Sequence, residues 1–238
     1  MIGERQALRV SEAAELLGVA RSTAHRLLSA LRRRGFVTQD RPNGAYRPGP
    51  ALNAVGMAAM TSIEIRQFAR PVLEELRDET SESTSLAILE GTWVRFVDGA
   101  ESTRSVRVGN RTGILKPAHA TAIGKAILAA ISLQELERHY PFEQLPKGGT
   151  RRALATRQGL LAALEEVRAA GYACNWEESS EGVSAIGVAL RDYLGTPIAS
   201  LAIAAPTSRM GSLTTVRAFA PLVLAAAEKV CERLAASR

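Results

Sequence analysis

Apolar positions at helical spacing open the chain, mixed strand and helix patterns follow from residue 84, and a long helical block closes it. Ser11 is the expected N-cap of a short helix, Glu12 to Leu17, with Ala13, Ala14, Leu16 and Leu17 as its apolar face and Gly18 as its stop. A second helix is expected from Ser22 to Arg34. There Ala24, Leu27, Leu28 and Leu31 fall at i, i+3, i+4 and i+7 and form one buried stripe, and Gly35 ends it. Phe36-Val37-Thr38 and Ala45-Tyr46-Arg47 flank Asn43-Gly44, which predicts a hairpin. Two short helices joined through a glycine and followed by a hairpin are a helix-turn-helix with a wing.

After the Pro48-Gly49-Pro50 break, residues 51–60 read as apolar helix. A further helix is expected from Ile63 to Glu79, with a kink or new start at Pro71. Strands are expected at 84–89, 92–98, 105–108, 183–190 and 198–204. Helices are expected at 119–130, 133–139, 156–170 (capped by Thr156, stopped by Gly171) and 213–236. Strands and helices in this uneven order predict an α+β second domain. The expected division is 1–49 for the winged helix, 50–70 for a linker helix and 71–238 for the larger domain.

Charge changes the picture most in the first fifth. Residues 1–50 carry nine Arg against four Asp/Glu, whereas the remainder is nearly neutral although the whole chain has a net charge of +6. A compact basic segment ahead of a neutral body is the footprint of a polyanion binder. The face opposite the Leu stripe offers Ser22, His25, Arg26, Ser29, Arg32 and Arg33, and the N-terminal end of such a helix enters the major groove. This nominates Arg21, Ser22, Thr23, His25 and Arg26 for DNA. Arg41, Asn43 and Arg47 on the wing would reach a minor groove or the backbone.

Other chemistry is sparse. The apolar runs at 201–206 and 218–227 fall short of a membrane span, and the first residues lack a signal-peptide pattern. The expectation is a cytoplasmic protein that does not engage a membrane. Cys174 and Cys231 are expected to be reduced thiols of the core. No phosphate loop, metal-spaced cluster or nucleophile triad is present, so neither metal, cofactor nor enzymatic activity is expected. The competing reading is a small-molecule sensor or enzyme-like domain whose winged helix mediates protein contact.

The stretch from Leu8 to Gly56, LRVSEAAELLGVARSTAHRLLSALRRRGFVTQDRPNGAYRPGPALNAVG, resembles the DNA-binding domain of the IclR family of bacterial transcriptional regulators. HATAIGKAILA (119–129), GYACNWEESSEGVSAIGVAL (171–190) and PIASLAIAAP (197–206) resemble that family's effector-binding domain, a GAF-like sheet with helices. The family places a helix before the segment starting at Leu8, and only seven residues precede it here, so this helix is expected to be short or missing and the domain looser than its relatives.

The resemblance implies a regulator, most often a repressor, that binds an operator as a dimer or tetramer and answers to a small-molecule effector. It also implies an effector pocket against the sheet, closed by the loop before residue 119 and by the 176–183 loop. The matching positions are His119, Ala122, Ile123, Asn175, Val183, Ala185, Ala202 and Ala204. Relatives that bind small carboxylates carry acids, Cys or Ser at several of these positions. Alanine and asparagine here predict an apolar or aromatic effector, with His119, Asn175 and backbone N–H groups as its polar contacts.

Overall fold

The computed structural model describes the backbone of residues 7–39, 41 and 44–237, and the side chains of these except at 53–63. Two compact units are present, Met1–Ile63 and Glu64–Arg238.

In the first unit, α1 spans Val10–Leu17 and α2 spans Arg21–Arg33. Strand β1, Val37–Gln39, pairs antiparallel with β2, Tyr46–Pro48. The helix α1 begins earlier than expected. Ser11 lies inside its first turn, because the Arg9 N–H donates to Glu12 Oε2 at 2.7 Å and caps the helix one step upstream. Gly18 ends it with φ 63°, the left-handed conformation that suits glycine. Leu8 and Tyr46 exchange two backbone hydrogen bonds of 2.8 Å, which adds a third strand segment to the wing. The small core consists of Leu8, Ala13, Ala14, Ala24, Leu28, Val37 and Tyr46.

The expected Leu stripe is only half buried. Ala24 and Leu28 are enclosed, but Leu27 is 49% and Leu31 41% exposed. Both helix α1 and the wing pack on one side of α2, so these two leucines, with Leu17, border an open apolar groove of about 600 Å³. The hairpin forms, with pairing from Val37 opposite Pro48 to Gln39 opposite Tyr46, and the Gly44 N–H donates to the Arg41 carbonyl at 2.9 Å.

The long helix α3, Pro50–Thr80, replaces the two helical pieces expected there, with Pro71 inside it. Pro71 lies on the exposed side, where water can take up the carbonyl that proline leaves without a donor. The opposite side, with Ile65, Ala69, Val72, Leu73 and Leu76, is buried.

The second unit is built on an antiparallel sheet in the order β5-β4-β3-β8-β7-β6. These strands are β3 Ser83–Glu90, β4 Trp93–Ala100, β5 Leu115–Pro117, β6 Ala173–Trp176, β7 Val183–Arg191 and β8 Pro197–Pro206. One face packs on the second half of α3 and on the C-terminal helix Ala220–Ala236 through Ile186, Val188, Leu201, Ile203, Val223 and Val230. Cys174 and Cys231 are free thiols half-buried against this core. The other face carries α4 (Ala122–Ala130), α5 (Leu133–His139) and α6 (Arg157–Ala170), which enclose Ile123, Ile127, Leu128, Leu136, Leu160 and Leu164.

Three expectations change here. Residues 105–108 are loop, because Ser83 Oγ donates to the Val108 carbonyl at 2.5 Å in place of a ladder partner. Strands β5 and β6 were not anticipated, being too short to show a period. The final helix is broken into α7 (Thr207–Met210), α8 (Leu213–Arg217) and α9 (Ala220–Ala236), and Pro221 starts the last of these.

Gly49 marks the tightest backbone approach in the first unit. A Cβ there would lie 2.2 Å from the Gly35 carbonyl oxygen and 2.9 Å from the Val37 nitrogen. Gly49→Ala should therefore destabilise this unit by an overpacking cost of roughly 1–3 kcal/mol. Amide exchange in α2 should speed up while β7 and β8 keep their protection. Unchanged protection in α2 would show that the backbone relaxes around the methyl group.

Candidate nucleic-acid interface and effector site

The N-terminus of α2 is open. Its N-cap, Ala20, has no side chain able to cap, so the first N–H groups of the helix face solvent. Such a terminus receives phosphate oxygens. Arg21, Ser22, Thr23, His25 and Arg26 are all exposed, and Ala24 and Leu28 hold the helix from behind. Among the described residues, no carboxylate pairs with Arg21 or Arg26. Arg32 is differently placed. Its Nη1 donates to Gln39 Oε1 at 2.8 Å, and Gln39 Nε2 donates to the Gly44 carbonyl at 2.8 Å. This chain of hydrogen bonds fastens the end of α2 to the wing. Arg41 and Arg47 are exposed on the wing. Asn43 lies outside the described residues.

In the second unit, strand register gathers several of the effector positions. Asn175 pairs with Ala185, Ala185 with Ala204 and Ala204 with Ser83, one row across four strands. At roughly 4.8 Å per strand, the row is about 14 Å long. Ala202 lies on the same face, one pair further along β8, opposite Gly187. The start of α4 rests on that glycine, where a Cβ would come within 3.0 Å of the Ile123 nitrogen and 3.1 Å of the Ala122 carbonyl carbon. Ile123 and Ala202 belong to the buried core under α4, whereas Val183 and Ala185 remain half-buried. Asn175 Nδ2 donates to the Ala120 carbonyl at 2.5 Å, and its Oδ1 is buried without a partner among the described residues.

His119 is placed otherwise than the row. It is buried in a 3-10 turn, with its ring edge-on to Tyr140 at a centroid distance of 6.2 Å. Its Nδ1 finds no partner among the described residues. Burial first, and the charge of Lys125 second, pull its pKa below the usual histidine value.

Three segments are fastened to one another beside the start of α4. Lys116 Nζ, on β5, donates to Ser180 Oγ at 3.2 Å, which joins the loop before α4 to the 177–183 loop. Lys125 Nζ reaches both oxygens of Glu178 at 2.7 Å and fixes that loop to α4. Glu177, held at φ 60°, accepts from the Gly182 N–H and pairs with Arg152. The two glutamates are thus loop fasteners rather than an acid–base pair. The third segment is the Gly148-Gly149-Thr150 turn. A Cβ at Gly148 would sit 2.3 Å from Pro117 Cγ, and one at Gly149 2.4 Å from the Glu178 carbonyl. Thr150 N donates to that same carbonyl at 2.8 Å. This turn escaped the sequence reading, and the Gly-Gly pair was its signal. Arg111 was missed as well. It lies over the Phe96 ring at 5.9 Å and, with Ala204, lines a cavity of about 20 Å³, near the size of one water.

Among the described residues, no cluster of His, Cys, Asp or Glu is placed to hold a metal, and no helix is long and apolar enough to cross a membrane. A basic winged helix-turn-helix, with a helix-flanked antiparallel sheet further along the same chain, defines a DNA-binding transcriptional regulator with an effector-binding domain. The IclR C-terminal model of bacterial transcriptional regulators matches residues 57–232, and the IclR helix-turn-helix model matches 2–41. The chain belongs to the IclR family.

The HTH-type regulator XynR of Escherichia coli is 34% identical over 203 residues, covering 85% of this chain and 80% of that one. TtgV of Pseudomonas putida is 38% identical over 202 residues, 85% of this chain and 75% of that one. A regulator from Rhodococcus sp. RHA1 has a similar structure, with a TM-score of 0.70, 26% identity and coverage of 99% and 93%. An IclR homologue from Microbacterium hydrocarbonoxydans, solved with 4-hydroxybenzoate, shares the fold at a TM-score of 0.64, with 24% identity and coverage of 97% and 92%.

The depressed pKa of His119 carries a sign. The unfolded chain takes up its proton near the ordinary value of about 6.5, and the folded chain does so only at lower pH. Stability is therefore full above that value and falls as pH drops below it. The thermal midpoint of the second unit should decline between about pH 6.5 and 5, and His119→Gln should flatten part of that slope. Identical slopes in the two proteins would show that His119 titrates like a solvated histidine.

Proposed function

We propose that this protein is a cytoplasmic repressor, without enzymatic activity of its own, that leaves its operator or binds it more weakly when a small molecule occupies the alanine row. In this reading residues 1–49 read DNA, 50–70 form the linker helix and 71–238 sense the effector. Arg21, Ser22, Thr23, His25 and Arg26 enter the major groove, and Arg41, Asn43 and Arg47 contact the flanking backbone or minor groove. One winged helix reads few base pairs, so the protein binds as a dimer, or a tetramer, on repeated half-sites.

The observation that carries this reading is the uncapped N-terminus of α2, with Arg21 and Arg26 exposed beside it and no acid opposing them among the described residues. The effector is apolar or aromatic in body and rests on Ala185, Ala202, Ala204 and Val183, with Ala122 and Ile123 beneath the start of α4. Asn175 Oδ1 is the acceptor offered to it, and His119 Nδ1 is a second buried atom without a partner among the described residues. A cavity of about 20 Å³ is too small for such a molecule, so its entry displaces the 101–111 loop.

The test is anisotropy titration of the DNA fragment upstream of the protein's own gene. Affinity should fall steeply between about 50 and 200 mM salt. Arg26→Ala should weaken binding by about 1–3 kcal/mol with the thermal midpoint unchanged. Affinity insensitive both to salt and to Arg26→Ala would remove α2 from the interface.

A further inference from the structure

Two cations near the sheet, Arg111 and Lys116, have no carboxylate partner among the described residues. Arg111 is held in place from both sides of its loop. The Gly113 N–H donates to the Phe96 carbonyl at 2.8 Å, and the Phe96 N–H donates to the Ile114 carbonyl at 3.1 Å. Asn110 Oδ1 accepts from the Thr112 N–H and hydroxyl at 2.9 and 2.8 Å. The guanidinium is thereby pinned over the Phe96 ring. Among the described residues it meets no carboxylate and no hydrogen-bond acceptor, and burial lowers its pKa.

The acids of the neighbouring segments are already engaged. Glu101 pairs with Arg107, and Asp98 pairs with Arg70 at 2.8 Å. Lys116 is close enough to Arg111 for their charges to repel, and its one hydrogen bond goes to a neutral hydroxyl, Ser180. A half-buried pair of like charges is a cost to the folded chain unless an anion joins it. Arg111 and Ala204 line the same small cavity, which places Arg111 at the β3–β8 end of the alanine row, and the Asp98 and Glu101 side chains that line that cavity too are held by Arg70 and Arg107. At the other end is Asn175, whose buried Oδ1 lacks a donor among the described residues.

We propose that Arg111 and Lys116 bind the carboxylate of the effector, and that the effector is therefore an organic acid with an apolar body and a hydroxyl or N–H donor directed to Asn175. This rests on the reading of the alanine row as the effector face, and it assigns that face a charge preference which the alanines alone do not imply. A guanidinium fixed in advance pays little ordering entropy when it takes a carboxylate, and the contact is charge-assisted on both sides.

The experiment uses the full-length protein and matched probes: 4-hydroxybenzoate against 4-hydroxybenzyl alcohol, benzoate against benzyl alcohol, and phenylacetate against 2-phenylethanol. Thermal shift and calorimetry are run on the parent chain and on Arg111→Gln, Lys116→Gln and Ala204→Phe. At least one acid should bind, and bind more tightly than its alcohol. Loss of either cation should weaken that acid by about ten- to a hundredfold, as for a hydrogen bond to a charged group, and should leave the alcohols unchanged. Without ligand, Arg111→Gln should melt no lower than the parent beyond the small loss of the Phe96 contact, since Arg111 has no ion-pair or hydrogen-bond partner among the described residues; a larger drop marks a structural role and overturns the proposal. Acids weakened by Ala204→Phe but not by the Gln variants overturn the proposal and keep the effector face. Acids weakened by the Gln variants and indifferent to Ala204→Phe overturn the effector face as read here, and the proposal with it. A panel in which no acid binds better than its alcohol, whether both bind or neither does, overturns the proposal.

Discussion

The second unit depends on how closely the N-terminus of α4 lies on the sheet. Gly187 leaves no side chain beneath it, and Gly124 lets the first turn press against Ala118, where a Cβ would sit 2.2 Å from the carbonyl oxygen. Thr121 completes the seat by accepting the Gly124 N–H at 2.9 Å. Because the helix begins there, Ala120 can offer its carbonyl to Asn175, and Lys125 emerges one turn later opposite Glu178. A methyl group at either glycine would lift the helix and pull all three apart.

The buried charges of this unit fall into two kinds. Lys125 and Glu178 satisfy each other at 2.7 Å, so desolvation of each is offset by the other, and the pair fixes a loop to a helix. Arg111 and Lys116 have no such compensation among the described residues. A protein tolerates an uncompensated charge where something else supplies the counter-charge part of the time. The fastening of the 177–183 loop and the electrostatic tension beside it thus belong to one arrangement: the first holds the walls of the site, and the second leaves it unfinished.

The first unit shows a related trade. Its core is small, and three leucines border an open groove, so little apolar surface secures the basic helix α2. What secures it instead is local: the Gly49 contact with Gly35, the Leu8–Tyr46 bridge and the Arg32–Gln39–Gly44 chain. These hold the helix relative to its wing, which is the relation a groove-reading surface requires.

The sequence by itself determined the parts whose signals are local. The 3.6-residue period, Gly18, the basic α2 and the hairpin placed the winged helix within a few residues. Thr156 and Gly171 bounded α6, because caps and stops act over one turn. The motif segments named the family. The sequence did not determine which leucines of α2 are covered, since periodicity marks a face but not whether a neighbour is present to bury it. It did not separate His119 from the alanine row, because a residue one turn before a helix can face either way until Tyr140 takes its place beside it. Nor did it reveal the contacts of Arg111, Lys116 or Gly148-Gly149. Those residues lie far apart along the chain, and only the packing of loops over the sheet, through contacts with no sequence period, brings their charges and backbones together.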